Sequence, residues 1–393
     1  MTDILLALAP LPLALVFTSL VLLIVGGSPL EAYRQILAGA FESPAKVADV
    51  VTACVPLILC GAGMCVTFTA GLWNVGVEGQ IILGAIFATW VARHILWPQA
   101  PVLTLMMLAG MLGGALWGVL AGLLRVYGKV HEIFGGLGLN YVAQGLVIWL
   151  IFNPWKRAEG ATMQGTDPFP APAWMPTLGR LRVAPLAVIL ALAALVVIYF
   201  LLRGTRWGLE LKAMGKNFRA AFVLGVPSTP RMLTAFAACG ALAGLAGAIR
   251  CSAVYGRLIP EISGGLGYLS LLVALLSGYR PQWVPLIALF FAALGVGSPR
   301  LELNLHLDSS IGGVIEASVV LAVLLVSGWR ALLARRRALR EEANPPDCDP
   351  AGAKWPPDCD PAGAKWLPDC DPAGAKWPPD CDPADAKCLQ EAA

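Results

Sequence analysis

Charge is what this chain has least of. Only 13% of its 393 residues are Asp, Glu, Lys or Arg, 58% are hydrophobic, and the mean hydropathy is +0.71. No soluble core needs that much apolar surface, so the composition points to a multi-span membrane protein. The net charge of +3 is too small for a nucleic-acid binder, and the basic residues cluster at span ends rather than on one face. Histidine is scarce too: His94, His131 and His306 lie far apart near expected span ends, which leaves no catalytic set and no metal set. A GxxxxGK[ST] phosphate loop is missing, so the chain is not expected to bind and hydrolyse ATP itself. Cysteines are present but dispersed. Cys54, Cys60, Cys65, Cys239 and Cys251 fall in or beside apolar runs, where cysteine behaves as a small hydrophobe. The others are spread along the C-terminal tail and form neither a CxxC pair nor a compact disulfide framework. The first run, Ile4 to Val25, follows Asp3 rather than a basic start and has no clean small-x-small cleavage site; it reads as a retained first span.

What the chain has in abundance is long apolar runs. About ten are expected to span, at 4–25, 48–69, 81–97, 102–124, 131–152, 183–202, 231–250, 264–279, 283–298 and 310–328. Between the first two, Tyr33, Ile36, Leu37 and Ala40 form a short stripe expected to lie on the membrane surface. The stretch AGLWNVGVEGQ, residues 70–80, interrupts the runs with Asn74, Glu78 and Gln80 close to membrane depth. A carboxylate and two amides are costly there unless they face protein or a water-filled cavity, so the break marks a pathway. A second break, SAVYGRLIPEISGG near 252–264, carries Pro260 and Glu261. Five spans per half, an odd number, would make the halves inverted repeats with a site at their interface. Glycines such as Gly114, Gly118, Gly122, Gly240 and Gly244 permit close helix packing.

Arg203, Arg206, Lys212, Lys216, Arg219 and Arg231 stand against one acid, Glu210, and Arg330, Arg335, Arg336, Arg337 and Arg340 follow the last span. Both segments are expected in the cytoplasm, and counting spans places both termini there. The proline-rich linker 153–182 then lies outside. Residues 1–329 are read as the transmembrane domain, 330–343 as a basic cytoplasmic segment, and 344–393 as a disordered tail in which PPDCDPAGAKW recurs with small variations. The segment LELKAMGKNFRAAFVLGVPS is either a partner-docking element or a basic loop that only fixes topology.

That segment and the following AFAACGALAGLAGAI resemble the cytoplasmic loop and next helix of ABC importer permeases of the branched-chain amino acid and simple-sugar group. GLWNVGVEGQIILGA and HEIFGGLGLNYVA resemble elements of its nucleoside branch, and GGLGYLSLLVALLSGYRPQWVPLIALFFAALGVG resembles the later helices. The resemblance implies an all-α polytopic inner-membrane permease, not an enzyme, carrying nucleosides or related solutes by alternating access. It implies a separate ABC ATPase subunit that holds ATP and Mg, a second permease chain forming a hetero-dimer, an extracytoplasmic substrate-binding protein, and no cofactor on this chain. It places Gly215, Asn217, Ala220, Ala221 and Gly225 at the ATPase contact, and Asn74, Gly76, Glu78, Gly79 and Gln80 beside the pathway. Trp73, Tyr141, Tyr268, Asn140 and Glu261 join them as candidates. Glu78 either caps a helix or touches substrate; Asn140 bonds a neighbouring helix or ligand; the aromatics stack on a base or anchor the core. Gly135, Gly136 and Gly138 depart from the branched or hydroxylated residues usual in nucleoside-type relatives, and Glu316 from an amide. The alternatives are a sugar or amino-acid permease of the same fold, a proton-coupled transporter using Glu78, Glu261 or Glu316, and a membrane scaffold.

Overall fold

A computed structural model describes residues 10–305, apart from Val25, Ala158, Glu159, residues 161–163 and Arg180, together with scattered residues between 313 and 332. Glu316, His306 and the repeat tail lie outside the described residues. Among the described residues every regular element is a helix: α1 Pro10–Ile24, α2 Pro29–Phe41, α3 Pro44–Thr69, α4 Val77–His94, α5 Gln99–Val126, α6 Glu132–Phe152, α7 Pro185–Gly204, α8 Arg206–Lys216, α9 Phe218–Val223, α10 Ser228–Ile249, α11 Leu266–Leu276, α12 Val284–Gly297 and α13 Pro299–Leu305.

Among the described residues six helical stretches are each long and apolar enough to cross a membrane: α3, α5, α6, α7, α10 with its continuation to Tyr255, and Pro281–Leu301. The protein is therefore polytopic. The run expected to span at 264–279 does not do so as a helix, because α11 holds only 11 residues, about 16 Å at the α-helical rise. Leucine-rich composition marks both a span and a buried half-span, and composition alone does not separate them. The expected span 310–328 falls mostly outside the described residues.

Local chemistry sets the helix boundaries. Ser43 accepts from the Lys46 amide at 3.3 Å, with Pro44 in the first turn, and so starts α3. Thr205 does the same for α8 through Gly208, and Asn217 for α9 through Ala220, both at 3.1 Å. The helix expected to lie free on the membrane surface, α2, is instead docked on protein. Ala32, Ile36, Gly39 and Ala40 are buried, and a Cβ on Gly39 would stand 2.9 Å from the Gly297 carbonyl oxygen of α12.

The centre of the bundle is a three-helix crossing of α4, α5 and α10 lined by glycine. A Cβ on Gly110 would stand 2.6 Å from the Ala248 side chain and 2.9 Å from the Gly244 carbonyl oxygen. Cβ atoms on Gly84, Gly114, Gly240 or Gly244 would overlap the facing backbone outright. Small residues let backbones touch where lipid supplies no hydrophobic drive for helix association. The crossing fixes α4 and α10 side by side, and both breaks adjoin it.

Candidate functional site

The helices that follow the two breaks, α4 and α11, begin inside the bundle. α10 leaves the basic segment at Ser228; Cys239, eleven residues along it and so about 16 Å in, meets Asn74, whose Nδ2 lies 3.1 Å from its sulfur. Further along, Gly244 meets Gly84. Glu78, which lies between Asn74 and Gly84, is thus roughly 20 Å from that end, about two-thirds of the way through a layer about 30 Å thick.

Here α4 and α11 meet N-terminus to N-terminus. Glu78, in the first turn of α4 and only 7% exposed, accepts from the Gly265 amide at 2.9 Å through Oε1 and from the Gly267 amide at 2.6 Å through Oε2. The first amides of a helix have no partner within it, and its N-terminus carries positive partial charge. One carboxylate therefore satisfies the start of α11 while sitting at the positive end of α4. From this junction the two helices diverge. α4 runs along Gly244, Gly247 and Cys251, whereas α11 runs to Ser277 beside Cys65 (3.7 Å) and Tyr279 against Phe68 (ring centroids 5.2 Å), where α3 ends. Glu78 does act as a cap, but for a helix 187 residues further along the chain.

The remaining polar groups of the first break bind the junction together. Asn74 and Gln80 pair through their amides, 3.1 Å in each direction. Asn140 of α6 accepts from the Gly79 amide at 2.9 Å and donates to the Val75 carbonyl at 3.0 Å and to the Tyr268 hydroxyl at 3.3 Å. Gly76 and Gly136 touch backbone to backbone, since a Cβ on Gly136 would lie 2.6 Å from the Gly76 nitrogen. Gly136, a departure from the nucleoside pattern, thus has a packing reason. The Trp117 indole nitrogen is buried here without a partner.

Three aromatic candidates face outward from this junction: Trp73, Tyr268 and Tyr141, the last 78% exposed. Trp73 is also held edge-on by Phe68, ring centroids 5.2 Å apart. Glu261 is exposed and makes no ion pair among the described residues; beside it Gln144 donates to the Pro260 carbonyl at 3.0 Å. Apart from one short turn at Ala171–Ala173, the described residues of the linker between α6 and α7 are irregular, and several are stitched to the second break. The amides of Thr166, Phe169 and Met175 donate to the carbonyls of Leu258, Gly256 and Ser252 at 2.9, 2.7 and 3.0 Å.

The basic segment folds into α8 and α9. Ala221 is buried, while Ala220 is exposed beside Phe218, Phe222, Val223 (83% exposed) and Leu224 (81%). This apolar patch on a cationic segment is the kind of surface that takes a protein partner. Gly215 lies against the end of α3: a Cβ on Gly71, which has φ +73°, would stand 3.3 Å from its Cα. Gly71 opens the first break, so the segment touches the break directly. Gly225, with φ +81°, closes α9. Glu210 is braced by Arg231 and, at 3.0 Å, by Arg206. The hydrogen bond from Arg231, with the charge of both guanidinium groups, holds its carboxyl below the ordinary value.

One residue escaped the sequence reading. Arg250 is the only charged side chain between Met232 and Val254, and the last turns of that helix, Arg250–Tyr255, are π-helical. An isolated charge inside an apolar run was the available signal.

Fold and site together define a polytopic helical transporter component organised on helices that begin within the membrane. The chain belongs to the family described as branched-chain amino acid transport system / permease component, which it matches over residues 47–332. It is similar to the Glucose ABC transporter permease protein TsgB13 of Haloferax volcanii, 32% identical over 86% of this chain and 94% of the relative. The Guanosine ABC transporter permease protein NupP of Bacillus subtilis is 28% identical over 82% and 93%, and the Nucleoside ABC transporter permease protein NupB of Lactococcus lactis is 25% identical over 82% and 91%. The chain is accordingly an ABC permease subunit.

Proposed function

We propose that this permease carries nucleosides or closely related solutes across the inner membrane by alternating access, driven by a separate ATPase that holds ATP and Mg. The family match over residues 47–332 carries the reading. Relatives named for guanosine and nucleoside transport support the substrate class. So do the outward-facing Trp73, Tyr141 and Tyr268, flat surfaces on which a base can stack.

The ATPase docks on the patch around Ala220, Phe222 and Leu224, on the cytoplasmic side, and both chain termini lie on that side. An extracytoplasmic binding protein delivers solute at the other face. Because the aromatic face is open in one chain, a second permease chain closes the pathway; a similar permease from a different gene fits the paired guanosine permeases NupP and NupQ of Bacillus subtilis. The opposed half-helices α4 and α11 are what two inverted repeats of five spans would produce at their interface. Gly71 and Gly215, in contact, connect docking to the break. A proton-coupled mechanism fits Glu78 poorly, since protonation would weaken two backbone hydrogen bonds.

A sugar substrate is the second reading, favoured by the 32% identity to the glucose permease. Uptake of radiolabelled guanosine, adenosine, glucose, ribose and leucine in cells lacking the chain, with and without its restoration, decides. Chain-dependent guanosine or adenosine uptake is expected; uptake of glucose or ribose alone moves the assignment to sugars, and leucine alone rejects both.

A further inference from the structure

Among the described residues two arginines stand at the second break, Arg250 just before it and Arg257 within it, and neither has a carboxylate within 4 Å. Both are half-buried. The Nη2 of Arg250 lies close to Gly264, 3.4 Å from where a Cβ would stand there. Gly264 immediately precedes the α11 amides that Glu78 caps. Among the described residues the guanidinium is held by Tyr255: Nη2 donates to the hydroxyl at 2.7 Å, and the charge lies 5.2 Å from the ring centre. Its Nε is buried with no acceptor. Glu78 is committed to the Gly265 and Gly267 amides, and Glu261, the nearest acid along the chain, is turned outward.

A half-buried guanidinium without a counter-charge is costly where it packs against apolar helices, and an unpaired charge at the end of a membrane-spanning helix marks a candidate solute pathway. A π-helical turn, Arg250–Tyr255, carries it, a distortion frequent at functional sites. The planar fork of Arg matches an oxyanion in two-point contact. We propose that Arg250 recognises an anionic group, a carboxylate or a similar oxyanion, on the transported solute, in the outer half of the pathway. Tyr255 orients the guanidinium and leaves its remaining donors for that group. This deepens the permease reading and rests on it: the solute is an acidic member of its class.

The experiment measures uptake of uridine against its carboxylate derivative orotidine, and of glucose against glucuronate, in cells that depend on this chain, for the native protein, Arg250→Gln and Arg250→Lys. The native chain is expected to carry the acid of one pair at least as well as its neutral partner. Arg250→Gln is expected to lower the acid-to-neutral ratio about tenfold or more, the change for one lost charge-assisted hydrogen bond, and to leave neutral uptake within about twofold. Arg250→Lys keeps most of the ratio. Each ratio is taken with the same binding protein, so delivery cancels between variants. Neutral-only uptake by the native chain overturns the inference and leaves the permease reading standing, even if Arg250→Gln fails to insert. An equal loss of acid and neutral uptake in inserted Arg250→Gln also overturns it, since that is what a packing or lipid-binding role would give. Uptake of none of the four overturns this inference, and guanosine and adenosine measured alongside decide whether the nucleoside reading falls with it.

Discussion

Replacing Glu78 by Gln tests the junction of α4 and α11 with almost no change in shape. The carboxylate accepts two amide hydrogens, at 2.9 and 2.6 Å. Glutamine has one acceptor oxygen, and its NH2 would face the other amide donor to donor. The loss is then one charge-assisted hydrogen bond, about 1.5–3 kcal/mol, plus one stranded buried amide at about 1–3 kcal/mol. Weaker attraction to two helix N-termini adds roughly 0.5 kcal/mol or more. Neutral interhelical hydrogen bonds in membranes average only about 0.6 kcal/mol, so a value near that would mean the charge counts for nothing. We expect a loss of about 3 kcal/mol, read as a fall of roughly 5 °C or more in the unfolding midpoint of the detergent-solubilised chain. Transport should fall in parallel. Glu78→Ala, which strands both amides, should be worse. If Glu78→Gln keeps the native midpoint while transport collapses, the capping argument is wrong and Glu78 is a solute contact.

Other expectations concern the packing and docking surfaces. Ala220→Glu should abolish co-purification with the ATPase and leave insertion intact, because that side chain is exposed; Ala221→Glu should unseat α9 itself, because Ala221 is 2% exposed. Retained ATPase binding in Ala220→Glu would remove the docking assignment. Gly244→Leu should leave little assembled protein in the membrane, since even a Cβ there overlaps the backbone of α5; normal yield would show that the three-helix crossing is looser than described. Glu210 has a carboxyl held below its ordinary value of 4.5, mainly through the Arg231 hydrogen bond. A lowered value stabilises the fold above that ordinary value and is lost as pH falls through the folded one, so ATPase association should be flat from about pH 6 to 8 and fail only in acid. Association that weakens between pH 8 and 6 would contradict this.

Much of this was legible from residue order. The apolar runs, the two breaks and the glycine pairs Gly114/Gly118 and Gly240/Gly244 carry their signals locally, in hydropathy and spacing. The partner of Glu78 does not, since no pattern in VEGQ says that its carboxylate will meet amides near Gly265; the position of Glu78 suggested a cap on the helix it begins or a substrate contact. Asn140 was likewise legible as a polar residue on a span, but its bonds to Val75, Gly79 and Tyr268 exist only after α6 has packed. The short reach of α11 was hidden because LGYLSLLVALL is as apolar as any full span. Arg250 was visible as an isolated charge, but its missing counter-ion is a property of the packed bundle.

The Glu78 junction also bears on how the protein is made. Its two ends are 187 and 189 residues apart. At roughly 5–20 residues per second, a ribosome needs about 10–40 s to go from one to the other. Throughout that interval the start of α4 must wait in or beside the bilayer with its acid uncapped by α11. A nascent chain halted before Gly265 therefore exposes a recognisable defect at membrane depth, the sort of lesion by which a quality-control protease can tell an unfinished permease from a finished one.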